Sequence, residues 1–154
     1  VTDSIRLATP DDVDAVQACV RAAYAMYLER MEQEPAPMTA DYASLVGQGV
    51  VHVLDDDPGG DLAGLLVAFA REDHYFIENV AVRPDLHSTG RGRLLLTFAE
   101  DEAKRQGFDR IELYTNAIMT ENIEYYPRLG YEEAGRHEED GFERIFFRKS
   151  LGTE

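Results

Sequence analysis

The stretch with the most chemical meaning runs Val80-Ala81-Val82-Arg83-Pro84-Asp85-Leu86-His87-Ser88-Thr89-Gly90-Arg91-Gly92-Arg93-Leu94. A strand-like run ends, Pro84 forbids it to continue, small and glycine residues follow, and an apolar helix begins at once. Such a turn aims several backbone N–H groups at one spot, at the positive end of a helix dipole. Gly90 and Gly92 let the backbone approach an anion with no Cβ in the way. Arg83, Arg91 and Arg93 add positive charge. The chemistry this suits is anion binding, with phosphate as the obvious guest. It is not a P-loop, since no Gly-Lys-Ser/Thr follows, and it lies too late in the chain for a dinucleotide fingerprint. Gly-x-Gly between a strand and a helix also serves as a plain connection, so the turn alone leaves both readings open.

Other chemistries find less support. His52, His74, His87 and His137 share no ligand-like spacing, and with one cysteine there is no case for a metal. Cys19 cannot form an internal disulfide and sits among apolar residues at helical spacing, which reads as a buried, inert thiol in a reducing compartment, with a catalytic thiol as the lesser alternative. No Gly-x-Ser-x-Gly elbow supports serine hydrolysis.

The elements that must position the turn can be read from periodicity. Ile5–Ala8 alternates as a short strand, and Thr9-Pro10-Asp11-Asp12 is a helix start with a hydroxyl cap, proline and first-turn carboxylates. Val13, Val16, Val20, Ala23 and Tyr27 give that helix one apolar face. After Glu34-Pro35-Ala36-Pro37 a short helix resumes from Thr39 or Ala40 to Val46. Strands are expected over Val50–Leu54, Leu62–Ala70 and His74–Val82, the first two joined at the turn cluster from Asp55 to Gly60. Leu94, Leu95, Phe98 and Ala99 form the stripe of the next helix, which Gly107 ends. Arg110–Thr115 reads as a strand and Glu121–Leu129 as a helix. The last strands lie near Tyr131–Arg136 and Glu143–Lys149, with Phe142, Ile145, Phe146 and Phe147 in core and edge positions. The expected class is mixed α/β, with a mostly antiparallel sheet of six to seven strands flanked by about four helices.

Bulk properties exclude partners. The 154 residues suit one domain, and 44% hydrophobic content is globular. A net charge of −15 speaks against nucleic acid, which needs a basic surface, and no apolar run is long enough for a bilayer. Val1-Thr2-Asp3-Ser4 carries neither a basic region nor an apolar stretch, so the expected location is cytoplasmic.

The residues resemble the GNAT superfamily of N-acetyltransferases. That family's Gln/Arg-x-x-Gly-x-Gly/Ala stands here as His87-Ser88-Thr89-Gly90-Arg91-Gly92, after Val80-Ala81-Val82-Arg83-Pro84. Its Tyr-x-x-x-Gly-Phe/Tyr stands as Tyr126-Pro127-Arg128-Leu129-Gly130-Tyr131, and the element order agrees over almost the whole chain. His87 replaces the usual Gln or Arg, and Ser88 sits where many members have glycine; both positions act mainly through backbone. Pro127 should kink or shorten the last helix.

The resemblance implies acetyl-CoA as co-substrate and an amine as acceptor. The fourth and fifth strands would splay apart, with the pantetheine arm against Val80, Ala81 and Val82 and the pyrophosphate on N–H groups of His87, Ser88, Thr89, Gly90, Arg91, Gly92 and Arg93. A backbone N–H near Val80 would meet the oxyanion. Because a lysine-like amine has a pKa near ~10.4, a base helps. Glu78, just ahead of the acyl-binding stretch, is the candidate base acting through water, with a solvent-facing strand carboxylate as its plainer reading. Asn79 is a lesser polar partner. Tyr126 is implied as general acid at the CoA sulfur, with Tyr125 beside it. Homodimerisation is a family-level expectation.

Segment 132–143 has six acidic residues and one arginine, and with Glu29, Glu32 and Glu34 it could face a cationic amine; a solvated acidic loop is the plainer reading. The acceptor stays open among polyamine, aminoglycoside-like compound, amino acid, protein N-terminus and lysine. A second reading keeps the turn but no catalysis: an acyl-CoA-binding sensor or interaction module that needs neither Glu78 nor Tyr126.

Overall fold

The computed structural model describes residues 5–31, 34, 36–55, 61–87, 89–139 and 141–152. Its seven strands are β1 (Ile5–Leu7), β2 (Val51–Asp55), β3 (Leu62–Ala70), β4 (Tyr75–Val82), β5 (Arg110–Asn116), β6 (Glu132–Glu139) and β7 (Phe142–Ser150). Its five helices are α1 (Val13–Tyr24), α2 (Ala36–Thr39), α3 (Tyr42–Gly47), α4 (Arg91–Arg105) and α5 (Thr120–Arg128). The chain divides into two compact units, Val1–Ala68 with Asn79–Ala99, and Phe69–Glu78 with Glu100–Glu154. The division falls inside β4 and inside α4.

In the first unit the hydrogen-bonded order is β1-β2-β3-β4. β1 and β2 pair antiparallel with Arg6 opposite Val53, and β2 and β3 pair antiparallel with Val53 opposite Leu65. The Thr9-Pro10 start forms a 3-10 turn over Pro10–Asp12 that leads into α1. Asp12 Oδ2 accepts from the Thr9 N–H at 2.7 Å and from its hydroxyl at 3.1 Å. The Arg6 guanidinium, on β1, donates to both Asp12 oxygens and to Asp55 on β2. One arginine thus pins the helix start to the sheet, and it holds the Asp12 carboxyl down to about 2. Val16, Cys19, Val20 and Ala23 are the buried face of α1. The buried thiol of Cys19 is pushed up to about 11 by desolvation, as befits an inert side chain.

Two sequence boundaries need correction. The helix expected from Thr39 or Ala40 is two: α2, and then α3, which begins at Tyr42 because Asp41 caps it by accepting from the Ser44 N–H at 3.1 Å. The apolar stripe of α4 is Leu95, Leu96, Ala99 and Ala103, all buried, whereas Leu94 is 40% exposed. The helix starts at Arg91, and that phase turns Leu94 outward. Glu34 is described; Glu32, Pro35, the turn cluster from 56 to 60 and Ser88 lie outside the described residues.

In the second unit the order is β4-β5-β7-β6. The β4–β5 pair is parallel, with Tyr75, Phe76 and Ile77 opposite Ile111, Glu112 and Leu113; β5–β7 and β7–β6 are antiparallel. The sheet is therefore mixed and mostly antiparallel. α4 ends on Gly107 (φ +93°), where the Gly107 N–H reaches the Lys104 carbonyl and the Phe108 N–H that of Ala103, a double closure that a left-handed residue permits. Pro127 sits in the last turn of α5, which ends one residue later at Arg128 and keeps nine residues, so the proline is accommodated without shortening the helix. β6 is the edge strand and is charged almost throughout, which discourages pairing with a further strand.

Candidate functional site

The first unit carries the glycine turn. At the end of β4 the Arg83 N–H donates to the Ala63 carbonyl at 2.8 Å, while its guanidinium pairs with Asp85 at 2.7 Å and reaches the Leu62 carbonyl at 3.3 Å. Arg83 thus ties down the strand end, and its charge is met locally. Pro84–Leu86 forms a 3-10 turn. The His87 ring nitrogen Nε2 lies 3.0 Å from the Val82 carbonyl, and the Thr89 hydroxyl donates to the Leu86 carbonyl. Both side chains fold back on carbonyls of the chain just before them.

Gly90 takes φ +88°, and a Cβ built there would meet nothing within 4 Å, so the space beside it is open. α4 follows directly, its first ladder bond running from the Leu94 N–H to the Gly90 carbonyl at 3.0 Å. The N–H groups just ahead, those of Gly92 and Arg93 among them, have no carbonyl within the helix to bond. Arg91 is half-buried and Arg93 exposed. A fifteen-residue helix opening on such a turn fits a pyrophosphate.

The strand before the turn alternates, with Asn79 and Ala81 buried and Val80 and Val82 half-buried. Asn79 has a structural role here: its Oδ1 accepts from the Tyr24 hydroxyl at 2.6 Å, and its Nδ2 donates to the Tyr42 hydroxyl at 3.1 Å. It clamps α1 and α3 to β4. Gly64 on β3 was not singled out by sequence. A Cβ there would stand 2.6 Å from the Ala81 carbonyl oxygen and 3.4 Å from Val82 Cα, so glycine is what lets β3 pass so close to this stretch.

The second unit holds the titratable candidates. Glu78 is half-buried, and its Oε2 accepts from the Tyr114 hydroxyl at 3.1 Å. Burial first, then the negative charge of Glu78, pushes the Tyr114 phenol up to about 12. Tyr114 escaped the sequence reading; the signal lay in strand register, because the parallel pairing ends at Ile77 opposite Leu113, and Glu78 and Tyr114 are the residues that come next on the two strands. Tyr126 is buried, its ring packed against Tyr125, Tyr131 and Phe147 at 5.4, 5.8 and 5.7 Å. Tyr131 donates to Glu100 at 2.9 Å, and Lys149 reaches the same carboxylate at 3.1 Å. The Gly130-Tyr131 half of the second motif therefore fastens β6 to α4. Glu78 and Tyr126, the two side chains singled out for proton transfer, thus stand in different surroundings: one beside a hydroxyl donor, the other in an aromatic cluster.

The sequence model of the acetyltransferase (GNAT) family matches residues 15–131, most of the chain. The chain belongs to the GNAT family of acetyltransferases. A curated relative, the probable N-acetyltransferase 14 of Xenopus tropicalis, is 33% identical over 87 residues, 55% of this chain; the chain spans 41% of that relative's length. Among solved structures, the PaiA N-acetyltransferase of Thermoplasma acidophilum in complex with coenzyme A superposes with a TM-score of 0.82 at 13% identity, covering 97% of this chain and 99% of that one. The ribosomal-protein-S18-alanine N-acetyltransferase of Escherichia coli gives a TM-score of 0.77 at 22% identity, over 99% and 96%. At such identities these two matches speak for the fold, and they bear out the mixed sheet expected of a GNAT chain. Among the described residues no cluster of His, Cys, Asp or Glu is arranged to hold a metal ion, and no helix is long and apolar enough to cross a membrane.

Proposed function

We propose that this GNAT chain transfers an acetyl group from acetyl-CoA to a primary amine, on a small molecule or exposed on a protein. The observation that carries this is the turn at Gly90, a left-handed glycine with open space beside it, set at the N-terminus of α4 in a chain that matches the family. We read residues 1–154 as one acetyltransferase domain, because β4 and α4 each run through both units; a cytoplasmic location is carried over from the sequence reading.

Acetyl-CoA supplies the activated acetyl group. The backbone of His87, Ser88, Thr89, Gly90, Arg91, Gly92 and Arg93 would hold its pyrophosphate, with the exposed Arg93 adding charge. Val80, Ala81 and Val82 would lie along the pantetheine arm; β4 runs on to Val82 beyond Ile77, the last residue it pairs with β5 among the described residues, which leaves strand backbone for that purpose. An N–H near Val80 would meet the oxygen on which charge develops. Glu78 would take the amine proton, directly or through water, on the carboxylate oxygen that Tyr114 does not occupy. Tyr126 would return a proton to the departing thiolate. A non-catalytic acyl-CoA-binding module remains the second reading, favoured by the enclosure of Tyr126 in its aromatic cluster. Assembly as a homodimer is carried over from the family resemblance.

A panel of amines with acetyl-CoA, followed by release of free CoA thiol, tests the proposal. Thiol release that depends on one class of amine supports it. Acetyl-CoA binding without release on any amine would move the chain to the second reading.

A further inference from the structure

On the face of the second unit's strands that carries Glu78, side chains of β4 and β7 converge on one ring of β5, and residues of β6 brace them. The parallel pairing ends at Ile77 opposite Leu113, one residue short of Glu78 on β4 and Tyr114 on β5, whose side chains meet at 3.1 Å, and the antiparallel register places Phe146 of β7 opposite Tyr114. The Tyr114 ring packs against Phe76 at 5.9 Å, near parallel, and against Phe146 at 5.7 Å. The Arg144 guanidinium sits over the same ring, 4.5 Å from its centroid. Arg144 is itself held: its side chain is only 12% exposed and pairs with Glu139 of β6 at 2.5 Å. Glu139 in turn meets His137 Nε2 at 2.8 Å, and the His137 ring stacks on Phe146 at 4.6 Å. A phenol fixed on this many sides has little rotational freedom left, so its hydroxyl points where the packing aims it, at Glu78 Oε2.

We propose that Tyr114 is a positioning residue for Glu78, braced by Arg144, that occupies one carboxylate oxygen and presents the other to the acceptor amine. This rests on the reading of Glu78 as the base. In the step concerned, an ammonium proton passes to the second oxygen of Glu78, directly or through one water, and the freed nitrogen lone pair attacks the acetyl carbonyl to form the C–N bond. The C–S bond then breaks and the CoA thiolate leaves, taking up a proton to give the free thiol, while Tyr114 gives up no proton. Because burial and the neighbouring carboxylate hold its phenol up to about 12, Tyr114 stays a donor at any ordinary working pH. The arrangement is what a base needs, since a carboxylate free to rotate spends part of its time in unproductive orientations.

The test combines kinetics with a readout that needs no turnover. Tyr114→Phe keeps the ring and its packing while removing the donor. Its kcat should fall by about tenfold, the scale of one hydrogen bond to a charged group, with KM for acetyl-CoA unchanged. With Glu78→Gln already in place, Tyr114→Phe should cost almost nothing further, because the two act as a unit. Full turnover in Tyr114→Phe, or losses that add in the double variant, would overturn the proposal. In parallel, Tyr114 is titrated by carbon NMR in protein labelled at the tyrosine ring carbon bearing oxygen, its signal assigned through Tyr114→Phe. Glu78→Gln should bring the Tyr114 midpoint down; an unmoved midpoint would show that the pair does not exist and would end the proposal even if no amine were turned over. Turnover failing in the wild type while that midpoint moves would instead count against the acetyl-transfer reading and leave the pairing intact.

Discussion

The two candidate regions, one in each unit, are built from different material. The turn at 87–93 is proposed to work through backbone: its side chains at His87 and Thr89 bond back to carbonyls of the chain just before them, and it contains one left-handed glycine. The Glu78–Tyr114 pair works through side chains whose placement depends on three strands being in register. A backbone site tolerates replacement of most of its side chains but not of its conformation. A side-chain site tolerates neither the loss of its functional group nor a slip of the strand that carries it. Ligand binding and chemistry should therefore fail separately.

The largest effect is expected at the turn. Gly90→Trp both strains a φ of +88° and fills the open space, and acetyl-CoA binding should drop by about 100-fold, the scale of one or two hydrogen bonds to a charged group lost. Isothermal calorimetry reads this; unchanged binding would sink the assignment of the turn. Next come the proton-transfer candidates. Glu78→Gln and Tyr126→Phe should each lower kcat by about 10²-fold or more, the low end for general acid–base groups, with acetyl-CoA affinity preserved. Were affinity to fall in step with turnover, the division between a backbone site and a side-chain site would be lost.

These expectations also mark what could be read from the chain and what could not. The turn was legible because every feature of it is local: Pro84 stops the strand, Gly90 permits the left-handed step, and the apolar helix follows within two residues. The closure of α4 at Gly107 was legible for the same reason. Tyr114 was not, because its meaning lies in which residues the two strands bring side by side, and it stands thirty-six positions further along the chain than Glu78. Gly64 was invisible on the same grounds, since its close neighbour Ala81 belongs to another strand. Asn79 read as polar and near the site, and only the fold gives it two tyrosine partners and a clamping task. The stripe of α4 was misphased at Leu94 because periodicity gives a helix its spacing, while the burial of Leu96 depends on what the helix packs against.

A smaller effect sharpens the backbone half. Gly64→Ala must push the Ala81 carbonyl away from 2.6 Å, which should cost about 1–3 kcal/mol of stability. Urea unfolding measures the loss; an unchanged midpoint would mean that β3 can yield without disturbing Ala81 and Val82. The smallest effect lies away from both halves. Because Arg6 holds Asp12 down to about 2, below its ordinary 3.8, the pair's contribution is present in full above about pH 4 and is lost as pH falls toward 2. Asp12→Asn should flatten that acid dependence by about 1 kcal/mol or less, since Arg6 is well exposed. Unfolding curves at pH 5 and pH 2.5 compare the two proteins.

The most direct test of the central claim is calorimetric titration of the wild-type chain with acetyl-CoA, beside Gly90→Trp of proven fold. Saturable one-to-one binding that the variant lacks is the predicted result. No binding by the wild type, or equal binding by both, would contradict the claim that the turn at Gly90 holds the acetyl donor.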